Sequence, residues 1–402
     1  MIDTPGQKNK MGWVTLSALG AAQICSWGTL YYSFPQVAVA MEADLGWLKS
    51  EIYGALTLGL LCSAIAALPI GFLIDRGYGR FVMMGGSALG GLLLIGWSQA
   101  QTLFWYYVTL AGIGAMQSAT LYHAAFAVIA IHYNKRKTAE YITTLTLWGG
   151  FASTTFIPVI ELLLSHTDWR SVLIVLGLIN LLICTALYAM VPTIREAPKE
   201  KSSKKAAGYS LGWVIRQPIF WVLLISFSLY STAISAFGFH LYPILIEKGL
   251  ALESVIILLA VIGPSQVLGR LIIRFVGVTS TITKIGIFVT LVFPAVFGAF
   301  AFLPAQFTLL IPVVVVYGAA KGIMTIVSGM AVPELITKNA YGAINGAMNL
   351  PILSLKAFAP TIAALLWTVT QDYNVLMISL LVVSLITVVF FTTASLMGNR
   401  AR

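Results

Sequence analysis

Residues 71–80 read GFLIDRGYGR, a charged hinge between an apolar run at 50–74 and another at 81–99. Gly77 and Gly79 permit a tight turn there, Gly71 allows a close helix contact, and Asp75, Arg76 and Arg80 can form a charge network at a membrane surface. Each flanking run has the length of a membrane crossing, because a hydrocarbon core about 30 Å thick takes about 20 apolar helical residues. Working outward from this hairpin, runs of the same kind recur at 13–40, 102–131, 139–165, 170–192, 218–246, 253–275, 284–303, 307–332, 340–368 and 374–397. The expected fold is therefore an all-α membrane protein with twelve transmembrane helices.

Composition agrees, with 59% hydrophobic and 9% charged residues, where ordinary soluble domains carry about 25% charged. The first run follows Lys8 and Lys10, is too long for a signal-peptide core and lacks a small-residue cleavage pattern, so it reads as a retained span. Nineteen of the 24 Lys and Arg residues fall in the tails and even-numbered loops, against Lys49, Arg170 and Lys248 in the odd-numbered ones. That asymmetry places both termini in the cytoplasm by the positive-inside rule. It also accounts for the formal charge of +10 without a nucleic-acid partner. Cys25, Cys62 and Cys184 lie in three different spans without a CxxC spacing and read as small packing residues.

The longest polar interruption, TIREAPKEKSSKKAAGYS at 193–210, is rich in Lys, Ser and Pro. It marks a solvated linker, 193–217, between a six-helix bundle at 1–192 and a second at 218–402. An internal echo supports two homologous halves: GFLIDR at 71–76 and GRLIIR at 269–274 each follow the second span of their half. With its loop sequence GFLIDRGYGR following the signature G-x-L-x-D-R-x-G-R apart from one extra residue between Arg76 and Gly79, the chain resembles the major facilitator superfamily over its whole length. The resemblance implies the major facilitator fold and a gating loop of Gly71, Asp75, Arg76, Gly79 and Arg80, a latch that holds the inner gate closed in one state. In the second copy Ile273 replaces the aspartate, which weakens that latch. Within the superfamily, YYSFPQ (31–36) and IGPSQVLGR (262–270) are similar to segments of the monocarboxylate transporter and oxalate:formate antiporter group. The resemblance places Gln36 where proton-coupled members have a lysine and Gln266 where they have an aspartate, while Arg270 matches their arginine. Lys356 is similar in type and depth to the span 11 lysine of the oxalate:formate antiporter.

Two cations belong to no loop. Lys321 stands in VVVVYGAAKGIMTIVSG (313–329) and Lys356 in LPILSLKAFAP (350–360), the latter the only charge between Ala340 and Thr370. A Lys at a helix centre costs about 2.5–3.5 kcal/mol on insertion scales, so such residues mark function by default. All fourteen Asp and Glu residues fall at span ends or in loops. Uncompensated cations in a low-dielectric surround attract an anion, which makes Lys356, Lys321 and Arg270 candidate substrate-binding residues. A guanidinium suits a carboxylate particularly well. The competing reading is packing against helix carbonyls for the lysines and surface topology for Arg270. Tyr31, Tyr32 and Gln36 join the candidate site as neutral donors for a bound carboxylate, Tyr122 and Tyr317 as residues lining the same cavity, and Gln266, at the family's aspartate position, as a further substrate-binding candidate. His123, in MQSATLYHAAF (116–126), fits either a cavity-facing proton carrier or a hydrogen-bonded packing residue, and His240 has the same two readings.

The expected function is secondary active transport of small organic anions, mono- or dicarboxylates, by alternating access around a central basic site. The expected location is the plasma membrane, a bacterial inner membrane, crossed many times. Protons or a counter-transported anion are the coupling partners. Export of neutral or drug-like solutes is the alternative, and a non-transporting membrane receptor a remoter one. With no phosphate loop, no HExxH and no Cys/His metal spacing, neither an enzyme, a cofactor nor a metal site is expected.

Overall fold

An apolar run in lipid must satisfy its own backbone, and among single segments only a helix does so. In the computed structural model, which describes residues 12–132, 135–192, 211–276, 282–336 and 341–400, the regular elements are helical throughout. The chain divides into two compact units, Met1–Glu200 and Lys201–Arg402. Most of the 193–217 linker lies outside the described residues.

In the first unit, α1 (Trp13–Trp27) passes through a π-helical turn at Gly28–Tyr32 into α2 (Phe34–Leu45). There follow α3 (Lys49–Leu73), α4 (Gly79–Ser98), α5 (Leu103–Thr120), α6 (Tyr122–His132), α7 (Lys135–Gly150) and α8 (Ala152–His166). The unit closes with α9 (Trp169–Leu178), a π-helical stretch at Ile179–Cys184 and α10 (Thr185–Ala189). Helix α3 packs along α5, α4 lies between α5 and α9, and α1 rests on α7. A core between α1, α4, α6 and α10 holds Leu19, Ala22, Met83, Ala125, Val128 and Tyr188. Polar pins cross it: the Gln23 amide donates to the Thr120 carbonyl at 2.6 Å, and Tyr188 Oη donates to the same carbonyl at 3.0 Å. Cys184 lies in this core with Cys25 packed against it, and all three cysteines are free.

The second unit begins with the short α11 (Leu211–Ile215), then α12 (Pro218–Glu247), α13 (Leu252–Val276), α14 (Ile282–Phe302), α15 (Phe307–Leu335), α16 (Tyr341–Thr370) and α17 (Tyr373–Arg400). Helix α12 packs against α16 and α17, α14 against α15 and α17, and α13 against α15. The α13–α15 contact is decided by GAAKG, 318–322. A Cβ on Gly318 would lie 2.6 Å from Ser265 Cβ, and one on Gly322 would strike the main-chain carbonyl of Gln266. Absent side chains thus let two backbones touch, the small-xxx-small device of membrane helices.

Among the described residues, ten helices are long and apolar enough to cross a membrane. One of them, Lys49–Ser98, is 50 residues long and contains the two expected spans that flank the 71–80 stretch. The first expected span, 13–40, falls on the helices broken at Gly28–Tyr32 and is not among the ten. The bend inside Lys49–Ser98 sits at Gly77, whose φ of 91° belongs to the left-handed region, where a Cβ would cost about 1–2 kcal/mol.

Candidate functional site

Helix α16 carries Lys356 between two prolines, Pro351 and Pro360. Proline has no N–H, so Pro360 deprives the Lys356 carbonyl of its intrahelical donor. The backbone is therefore loosened at the residue that bears the charge. Pro360 is held in turn by His240 of α12, buried among α12, α16 and α17. A carbonyl only accepts, so His240 Nε2–H donates to Pro360 O at 2.8 Å, which leaves Nδ1 to accept from Tyr373 Oη at 2.9 Å. His240 thus has the packing role among its two expected ones.

Lys321 lies on α15 with its Nζ 5.9 Å from the ring centroid of Tyr317, one turn earlier on the same helix. That distance gives a cation–π attraction. Tyr317 itself is buried, edge-on to Phe237 at 5.0 Å, and serves as the apolar floor under the ammonium rather than as an open cavity wall. The Gly318/Gly322 contact sets the register of α15 on α13, opposing Ala319 to Gly269 and Gly322 to Gln266. This brings Lys321 beside Arg270, half-buried on α13 one turn beyond Gln266. The charges whose fields reach Lys321 are Lys356 and Arg270, both positive. Among the described residues no carboxylate pairs with Lys321 or Lys356. The acids of this unit, Glu247, Glu253, Glu334 and Asp372, stand at helix ends or in a connection. Three cations from three helices thus converge in one half-buried region.

A cavity of about 310 Å³ begins one helical turn along α15 and α16 from the two lysines, lined from α12 by Phe227, Tyr230 and Ser231, from α15 by Thr325 and Ser328, and from α16 by Asn349 and Ile352. Thr325 and Ser328 follow Lys321 by four and seven residues, and Ile352 and Asn349 precede Lys356 by the same intervals. On an α-helix these are successive turns of one face. Both lysines therefore stand on cavity-lining faces, at the end away from the α15–α16 connection. Asn349 and Ser231 went unnoticed in the sequence because a single amide or hydroxyl in an apolar span carries no pattern. Their spacing from the lysines is the signal that singles them out.

The first-unit candidates form two groups. Tyr31 and Tyr32, in the π-helical turn, pack edge-to-face at 5.4 Å, and Trp27 lies 5.1 Å from Tyr31 and 5.0 Å from Tyr122. Tyr122 stacks on Phe126 at 5.0 Å. An aromatic cluster results, whose members Trp27 and Phe126 the sequence reading passed over although Trp27 and Tyr31 are four residues apart. Gln36 is instead buried and ties α2 to α8, its amide donating to the Ile157 carbonyl at 3.1 Å and to Glu161 Oε2 at 2.7 Å. In sequence Glu161 is one acid near the end of the 139–165 run, with nothing to mark it as the partner of Gln36. Gln266 is buried against Gly322, and His123 is exposed on α6.

In the 71–80 stretch, Asp75 and Arg76 are exposed, and the Arg76 guanidinium sits over the Phe72 ring at 4.0 Å. No ion pair between Asp75 and Arg76 or Arg80 occurs among the described residues. A Cβ on Gly71 would meet no atom within 4 Å, so the close contact expected there is not made. It is made at Gly79, where a Cβ would lie 2.7 Å from Val128.

Comparison with known proteins places this architecture. The family model of the Major Facilitator Superfamily matches residues 19–360. Monocarboxylate transporter 12 of Xenopus laevis is 25% identical over 346 residues, covering 78% of this chain and 74% of its own length. Monocarboxylate transporter 13 of Bos taurus is 23% identical over 339 residues, covering 81% and 75%. Among solved structures, the nucleoside transporter NupG superposes with a TM-score of 0.70 at 15% identity, over 95% of this chain and 98% of that one. A helical membrane chain matched over most of its length by one transporter family model is a transporter and not an enzyme, and this chain belongs to the Major Facilitator Superfamily.

Proposed function

We propose that the chain is a secondary active transporter of small organic anions, mono- or dicarboxylates, whose carboxylate is held by Arg270, Lys321 and Lys356. The observation that carries this reading is the convergence of those three cations on one half-buried region whose acids all stand at helix ends or in a connection. Removing such charges from water is costly, and an anionic cargo offsets the cost only when bound. The name borne by the relatives, monocarboxylate transporter, supports the same cargo chemistry. The proposed setting is a bacterial inner membrane with twelve spans, both termini cytoplasmic, and alternating access of the two six-helix bundles gated by the 71–80 stretch. Tyr31, Tyr32 and Tyr122 contribute donors in the first bundle.

Gln36 and Gln266 carry no titratable proton, so symport through those two positions is lost and anion exchange is the proposed mode. Coupling through His123 is the competing mode. The test is flux of labelled carboxylates into sealed vesicles containing the purified chain, with lumenal pH recorded. Flux that depends on an opposing internal anion, falls in Lys356→Gln and Arg270→Gln, and leaves lumenal pH steady fits the proposal. Undiminished flux in both variants would refute the basic site, and lumenal acidification abolished by His123→Gln would replace exchange with proton symport.

A further inference from the structure

The cavity beside the lysines has a wall of defined hydrogen-bond polarity. Thr325 Oγ1–H donates to the Gly322 carbonyl at 2.7 Å, and Ser328 Oγ–H donates to the Thr325 carbonyl at 3.1 Å. A hydroxyl has one hydrogen and two lone pairs, so both residues have spent their donor on their own helix and offer the cavity acceptors. Asn349 adds an amide with both a carbonyl acceptor and N–H donors, and the Ser231 and Tyr230 hydroxyls complete the polar lining.

Cargo chemistry can be sorted against that wall. A second carboxylate facing Thr325 and Ser328 would set acceptor against acceptor. An aliphatic tail would cover the oxygens and leave them without water or a partner, which is the expensive half of the hydrogen-bond balance. An alcohol O–H supplies the donor that Thr325 and Ser328 lack, while its oxygen accepts from the Asn349 amide. The dimensions agree: at about 1.5 Å per residue along a helix axis, Thr325 and Ser328 lie about 6 and 10 Å from the level of Lys321. A chain of about six carbons anchored at the lysines passes Thr325 and extends its far end toward Ser328. The volume of about 310 Å³ falls at the small end of ligand pockets, which span about 300–1,000 Å³.

Resting on the anion-binding reading above, we infer that the cargo is a polyhydroxylated monocarboxylate. Its carboxylate is held at the Lys321/Lys356 end, and its chain hydroxyls donate to Thr325, Ser328 and Asn349 along the cavity.

Four six-carbon probes separate the terms when titrated calorimetrically into the purified full-length chain: gluconate, hexanoate, adipate and the neutral hexitol sorbitol. Gluconate is expected to bind at least about tenfold more tightly than hexanoate or adipate, the effect of one well-made hydrogen bond, and sorbitol not to compete. Thr325→Val, which preserves shape, and Asn349→Leu are each expected to weaken gluconate about tenfold and to leave hexanoate unchanged. Ser328→Ala serves as the second hydroxyl variant, and melting of each unliganded variant checks its fold. Hexanoate or adipate binding as tightly as gluconate, with Lys356→Gln weakening them all, would overturn the polyhydroxy inference and leave the anion site standing. Gluconate binding unchanged in Lys356→Gln, or sorbitol binding equal to gluconate, would overturn the anion site itself, and binding of none of the four would overturn both.

Discussion

Glutamine at position 356 keeps most of the side chain's length and polarity while removing its charge, and the two readings of this lysine then predict opposite signs for stability. If Lys356 is a packing residue that satisfies helix carbonyls, Lys356→Gln loses charge-assisted hydrogen bonds and destabilises by about 1.5–3 kcal/mol. If it belongs to a cation cluster awaiting an anion, the variant relieves repulsion instead. Lys321 feels both Lys356 and Arg270 as like charges. Two unit charges about 8 Å apart at an effective dielectric of about 20 repel by about 2 kcal/mol, which sets the scale of such a pair. The unliganded variant should therefore be more stable by about 2 kcal/mol, a rise in melting temperature of about 2–3 °C for 402 residues at about 2.1 cal/mol/K of unfolding entropy each. Carboxylate affinity should fall at the same time by about 10- to 100-fold, the equivalent of one lost charged hydrogen bond. Thermal melting of the purified protein with and without ligand reads both quantities. A lower melting temperature in the absence of ligand, with affinity unchanged, would refute the cluster reading outright.

Three further predictions follow from individual contacts. Gly322→Val places two methyl groups against the Gln266 carbonyl and should cost about 1–3 kcal/mol through overpacking, read as a lower melting temperature together with weaker carboxylate binding, because Lys321 loses its register on Arg270. Tyr373→Phe removes the donor to His240 Nδ1 and should cost about 1–3 kcal/mol by melting, with substrate affinity unchanged, since this histidine clips helices and does not touch cargo. Asp168 accepts the Ser171 N–H at 2.7 Å as the N-cap of α9, and that bond, followed by the Ser171 hydroxyl, holds its carboxyl below the ordinary range. Asp168→Ala should cost about 1 kcal/mol at neutral pH, and because the folded pKa is depressed, the gap to the parent should close as pH falls below the ordinary aspartate range of about 3.9.

What the sequence determined by itself was whatever depends on the solvent. Apolar runs of bilayer length dictate helices because lipid offers the backbone no partner, and the loop GFLIDRGYGR specifies a bend because Gly77 alone among its neighbours adopts φ 91° without strain. The isolation of Lys321 and Lys356 from every acid was equally plain, since charge and depth are both one-dimensional quantities in a membrane chain. Which faces meet was not. Lipid and protein interior are both apolar, so a membrane helix shows little amphipathic contrast between the face that packs and the face that does not. The pair Gly318 and Gly322 could be seen beside Lys321, but not that it presses on Gln266 and so delivers Lys321 to Arg270. Gln36 reads in sequence as a neutral donor for cargo, and only packing sends its amide to Glu161, 125 residues away. Tertiary structure alone brought three cations from three helices to one place and put a hydroxyl-lined cavity beside them, because convergence depends on helix rotation and register, set by a few small residues at the crossing points.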